Sequence, residues 1–288
     1  VAAVREYYAA LGGGGDPEKI VPLLVSSLVA LGKLDEANAL MADLYAKNPA
    51  SGPITKAYAE LAIRRGDAKL SRELLTKVLE KEPFLQAQNM SLANILWSSG
   101  DRDAAAKHLQ RVAGVYADDV PSRALLGEYF LGKSDPVSAI APLEQAAKYV
   151  APKTPAQKNL TALLVTAYLQ AGNVESGKGD FARAADHYEK SARLDPTNLD
   201  AFAGEANACV VLKQFHRAAE ALQKMAALQP DNPTIHLSLG DVVYQDGNAG
   251  EARQHWEKAL HLDPAGETDM RSALNDRLTG RITADTFK

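Results

Sequence analysis

The chain has 288 residues, 32 basic and 36 acidic, for a formal charge of -4 and a pI near 5.9; this balance excludes a general nucleic-acid binder and a polybasic membrane clamp. No apolar run is long enough to span a bilayer, since the best candidate, residues 20–31, is broken by Pro22 and two serines. A single cysteine excludes a disulfide framework and a cysteine-based zinc cage, and 50 alanines with 36 leucines mark a helical composition.

Residues 1–11 predict a helix, followed by a turn at 12–15. Ala3, Tyr7 and Ala10 fall one stride of 34 residues before Ala37, Met41 and Leu44. The segment therefore reads as the second helix of a repeat whose first helix is missing, and the chain as an excerpt of a longer array. Helical hairpins then follow at that stride over 18–51, 52–85, 86–119, 120–153, about 158–198, 199–232 and 233–266. Pro49 and Pro83 are 34 apart, as are Pro196, Pro230 and Pro264, each closing a helical stretch that proline cannot continue. Gly32, Gly66, Gly100 and Gly172 are expected where a first helix turns into a second. The fifth repeat carries about seven extra residues, 174–180, expected in its helix turn, after a linker at 153–157. Together these are expected to loosen the stack into four repeats plus three. A capping helix is expected within 267–280, with Met270, Leu274 and Leu278 towards the last repeat and Arg271, Asn275, Asp276 and Arg277 towards water; 281–288 form a tail.

The last full repeat sets Leu239-Gly240, Val243, Tyr244, Ala252, Trp256, Ala259 and Pro264 at one spacing, and the preceding one sets Phe202, Ala206, Cys209, Ala218, Leu222, Met225 and Pro230. This pattern, over nearly the whole chain, resembles the tetratricopeptide repeat. The resemblance implies an all-α, right-handed α-α superhelix of about seven helical hairpins, in which each repeat buries its apolar face only by stacking.

No residue set supports catalysis, a cofactor or a metal. The segment GNVESGKG at 172–179 has Gly179 where a phosphate loop needs Ser or Thr, and helical repeats flank it. It reads as a plain flexible insertion. None of the histidines at 108, 187, 216, 236, 255 and 261 has metalloprotease spacing. Cys209 holds a packing position, and Trp256 a core position of a second helix. Asp101 and Asp103 read as helix-start charges.

In the resembling family the first helices line the concave face, which includes the fifth, ninth and twelfth positions of each repeat. The ninth is a polar ladder of Ser26, Glu60, Asn94, Glu128, Thr166, Asn207 and Asp241. Asn94 and Asn207 are its best peptide-backbone binders, because one amide both donates and accepts. The twelfth gives the apolar residues Trp97, Leu131, Leu169, Val210 and Tyr244, either groove anchors or packing between neighbouring first helices. At the fifth only Lys56 is basic, one turn from Glu60, so the carboxylate clamp used by chaperone-tail binders is not expected. These residues imply a non-enzymatic scaffold holding a protein or peptide in its groove, with the acids favouring a neutral or mildly basic segment. Two other readings stay open: self-assembly through the chain ends, and an arm of a larger enzyme or envelope export apparatus. Both cytoplasm and bacterial periplasm are compatible.

Overall fold

A computed structural model describes residues 2–263 and 270–282, and every regular element among them is an α-helix. α1 (Ala2–Gly12) precedes the hairpins α2 (Pro17–Ala30)/α3 (Leu34–Lys47), α4 (Gly52–Arg65)/α5 (Ala68–Lys81) and α6 (Gln86–Ser98)/α7 (Arg102–Val115). Then come α8 (Val120–Gly132), α9 (Pro136–Ala147), α10 (Pro155–Gly177)/α11 (Phe181–Leu194), α12 (Leu199–Val211)/α13 (Phe215–Leu228), α14 (Pro233–Gln245)/α15 (Ala249–Leu262) and α16 (Met270–Leu278). The expected all-α class holds, with helices in step with the prolines. The chain divides into two compact units, 1–129 and 130–288, so the division falls inside α8 and not at the linker around 153. Pro264, the expected start of the cap at 267–269 and residues 283–288 of the tail lie outside the described residues.

Local chemistry sets each hairpin. Gly66 and Gly100 adopt φ of 73° and 86° just past first helices, a conformation that costs a residue with a Cβ. One residue on, Asp67 and Asp101 cap the second helices, accepting from the amides of Leu70 and Ala104 at 3.0 and 3.3 Å. Packing of second helix on first is close because the twentieth residue of each repeat is small. Ala37, Ala105, Ala139, Ala184, Ala218 and Ala252 are fully buried, and Ser71 is 1% exposed. A longer side chain there would force the helix axes apart.

The fifth repeat departs from expectation. Its extra residues do not form a flexible loop; they lengthen the first helix, so that α10 runs unbroken to Gly177 and turns at 178–180. The linker likewise becomes the start of this helix, with Thr154 as its cap. Gly172 is therefore no turn glycine. A Cβ on it would sit 2.6 Å from the Tyr188 ring, and one on Gly204 would sit 2.5 Å from the same ring. Tyr188 thus lies wedged between α10 and α12, and its hydroxyl donates to Asn173 Oδ1 at 2.7 Å. At the far end Glu175 is buried and paired with Lys178 at 3.2 Å and Arg183 at 3.3 Å. These contacts hold the added turns against α11.

A second device joins consecutive repeats. The fourth residue of four repeats is polar yet buried: Thr55, Asn89, Arg123 and His236. Each bonds back to carbonyls of the preceding inter-repeat turn. Thr55 donates to Ser51 O at 2.7 Å, and Asn89 to Leu85 O and Pro83 O at 2.9 Å each. Arg123 donates to Tyr116 O at 2.7 Å, Asp119 O at 3.1 Å and Ala113 O at 2.6 Å. His236 Nε2 donates to Pro230 O at 2.9 Å, which assigns the proton to that nitrogen.

Three more histidines, His108, His187 and His255, share the twenty-third position once the insertion is removed. Burial lowers the pKa of each below the usual 6.5, assisted by Arg111, Lys190 and His236 respectively. The unfolded chain therefore takes up protons near pH 6.5 that the folded chain refuses until lower pH. Their contribution is present above pH 6.5 and is lost as pH falls from there through the lowered values of the folded chain. Urea unfolding is expected to show a lower midpoint at about pH 5.5, still above the carboxylate range, than at about pH 7.5. Replacing the three histidines by glutamine should flatten the difference; an equal midpoint in the parent chain would contradict the assignment.

Candidate functional site

The first helices of each unit leave clefts between them, and Ser26, Glu60, Asn94, Asn207 and Asp241 of the ninth position stand in their walls. In the N-terminal unit a cleft of about 130 Å³ separates α2 from α4, with Ser26 on one wall and Glu60 and Arg64 on the other. Glu60 is exposed, Lys56 half-buried one turn before it, and among the described residues neither is in an ion pair. Between α4 and α6 a wider depression of about 470 Å³ is lined by Ile63, Asn94 and Ile95. The Asn94 amide is exposed there. Trp97 is half-buried, and the Arg102 guanidinium lies 5.0 Å from its ring centroid. The ring face meant as an anchor is thus partly covered by a cation–π contact. Glu128 is half-buried on α8.

In the C-terminal unit the ladder is better assembled. α12 and α14 enclose a cleft of about 290 Å³ that brings together Asn207, Val210 and Asp241. Its floor is apolar, with Leu222, Ile235 and Val242, and its rim carries Ser238 and Gln245. Asn207 is exposed. Thr166 lines a separate open depression of about 550 Å³ beside α10. Its hydroxyl donates to Ala162 O at 3.0 Å, a bond within its own helix. Leu131 is half-buried. Leu169 and Tyr244 pack against the core of this unit, with the Tyr244 ring 5.5 Å from that of Trp256. The twelfth position is here mainly core packing, and only Val210 also faces the cleft.

Two expectations need correction. Arg277 does not face water: its side chain is 9% exposed and forms a two-pronged pair with Asp241, Nε to Oδ1 at 2.5 Å and a terminal nitrogen to Oδ2 at 2.6 Å. Asp241, for its part, is not a free acceptor of the ladder, because Trp256 Nε1 also donates to it at 2.9 Å. Burial raises its pKa, and the Arg277 and Trp256 contacts oppose that rise. The Trp256 indole lies against Gly240, where a Cβ would come within 2.5 Å of the ring. Cys209 is buried with a pKa raised to about 11 by desolvation, which makes it an inert thiol. Among the described residues no group of three or more His, Cys, Asp or Glu could hold a metal ion, and no helix is long and apolar enough to cross a membrane. Ser238 and Gln245 escaped the sequence reading because their positions differ from the ladder's; their polarity beside small Ala203 was the available signal.

A profile described as tetratricopeptide repeat matches residues 90–157, 163–233 and 204–267, and another of the same description matches 28–91. The chain belongs to the tetratricopeptide repeat family. Among curated proteins it is similar to the photosystem I assembly protein Ycf3 of Synechococcus sp. (strain CC9311), 25% identical over 138 residues, 42% of this chain and 78% of that protein. It is also similar to the Hsp70-Hsp90 organizing protein of Triticum aestivum, 32% identical over 108 residues, 36% of this chain but only 18% of that protein. Among solved structures, that of Naa15/Naa10 bound to HypK-THB superposes with a TM-score of 0.53 at 16% identity, covering 98% of this chain and 42% of that one. At that identity the likeness concerns the fold. For a tetratricopeptide chain, the small twentieth residue and the clefts between first helices follow from one hairpin repeated.

Proposed function

We propose that this tetratricopeptide repeat protein is a non-enzymatic scaffold that holds a partner protein or peptide on the first-helix faces of its units. The observation that carries the reading is the α12/α14 cleft, an apolar floor with the Asn207, Ser238 and Gln245 side chains around it. An apolar side chain of a partner fits the floor, and the exposed Asn207 amide can donate to and accept from its backbone. In the N-terminal unit Asn94 repeats the same chemistry beside α4. The two curated relatives are named for assembling photosystem I and for organizing Hsp70 and Hsp90, and a scaffold role accords with such names. Because Asp241 is already neutralised, the partner segment is uncharged where it meets the C-terminal unit.

The test is photo-cross-linking in cells from p-benzoylphenylalanine at position 94, 207 or 220. Discrete adducts are expected from 94 and 207, on the first helices, and none from 220, which is exposed on the second helix α13. Adducts from 220 alone, or equally from all three, would move the binding surface off the first helices.

A further inference from the structure

Among the described residues, Asp241 is the one ionisable residue in the lining of the α12/α14 cleft. Its two carboxylate oxygens are occupied by Arg277 of α16 and by the Trp256 indole. The arginine is held in turn by its own helix, donating to Ala273 O at 3.0 Å. A helix expected only to shield the last core from water thus reaches a residue of the binding wall and supplies its counter-charge. A cation entering the cleft would meet a carboxylate already bonded to a guanidinium, and like charges at such separations repel while the carboxylate offers little in return. An apolar group loses nothing there and gains contact with Val210, Ile235 and Val242.

We propose that Arg277 is a specificity-determining residue: by neutralising Asp241 it makes the α12/α14 cleft accept an uncharged apolar side chain and refuse a cationic one. The inference rests on the reading that this cleft receives partner side chains. It is tested with small probes and no partner, so that failure here and failure of the cross-linking are separate results.

The probes are benzyl alcohol and benzylammonium, alike in shape and different in charge. They are titrated at pH about 8, where carboxylates are ionised, into the full ¹⁵N-labelled chain while the side-chain amide signals of Asn207 and Gln245 are followed. In the parent protein benzyl alcohol should shift both signals and benzylammonium should bind roughly tenfold more weakly. In R277Q benzylammonium should tighten by roughly tenfold or more, and in R277Q/D241N that gain should vanish. Three results overturn the proposal: no shift by benzyl alcohol in the parent, benzylammonium affinity unchanged in R277Q, or a gain that survives in the double variant. Should R277Q fail to fold, R277M, which keeps the apolar stem, decides instead: benzylammonium should tighten by roughly tenfold there too, and unchanged benzylammonium affinity overturns the proposal.

Discussion

Trp256→Ala is expected to destabilise the C-terminal unit by about 3–5 kcal/mol, the range for truncating a large buried aromatic. The indole is 3% exposed, lies on Gly240, contacts the Tyr244 ring and anchors Asp241 through its N–H. Removing it leaves a cavity that a glycine and an alanine cannot fill, and it loosens the carboxylate that docks Arg277. Urea unfolding should show the loss, and amide exchange should show α16 opening ahead of α12. Trp256→Phe keeps most of the packing and loses only the N–H bond, so its cost should be near 1 kcal/mol. Equal costs for the two variants would mean that the hydrogen bond and not the ring secures this repeat.

Arg123→Met should cost the N-terminal unit about 3 kcal/mol, the scale of uncoupling a buried charged donor from its acceptors. The methionine keeps the apolar stem, so the effect isolates the guanidinium. Without it Ala113 O near the end of α7 loses this donor, while Tyr116 O and Asp119 O keep only the longer bonds from Asp119 N and Ser122 Oγ, 3.3 Å each. The Ala113 carbonyl also lies at the negative end of the α7 dipole, which favours a cation there. Arg123→Lys should recover only part of the loss, since an ammonium cannot span three carbonyls with a planar fork. Full recovery would show that charge alone matters. The urea midpoint of the N-terminal unit is the measurement.

The all-helical class and the buried small residues were legible in the sequence because each is set by short-range chemistry. Proline stops a helix wherever it stands, glycine turns one, and an apolar spacing of three and four defines a face. Gly172 was misread for the same reason. The local rule for glycine says turn, but this one is used for closeness to Tyr188, a neighbour 16 residues away. The extra turns of α10 likewise depend on Asn173 and Glu175 finding partners on α11 and in the turn before it.

Among the candidate site residues, Asn207 and Asn94 stand where the repeat position put them, exposed on first helices beside clefts. Asp241 occupies the same ladder position as Asn207; what distinguishes it within its own repeat is Trp256, which donates to it and stands where the preceding repeat has Leu222. Arg277 and Asp241 are 36 residues apart, and Trp256 stands between them in the chain. Their meeting depends on how α16 docks against α15 and α14. Sequence alone determined that this protein is a run of helical hairpins with polar rungs on one face, because periodicity and helix punctuation are local. Tertiary structure decided which rungs remain open and which are consumed, because pairing of a half-buried charge is settled by whatever neighbour packing brings within hydrogen-bond reach.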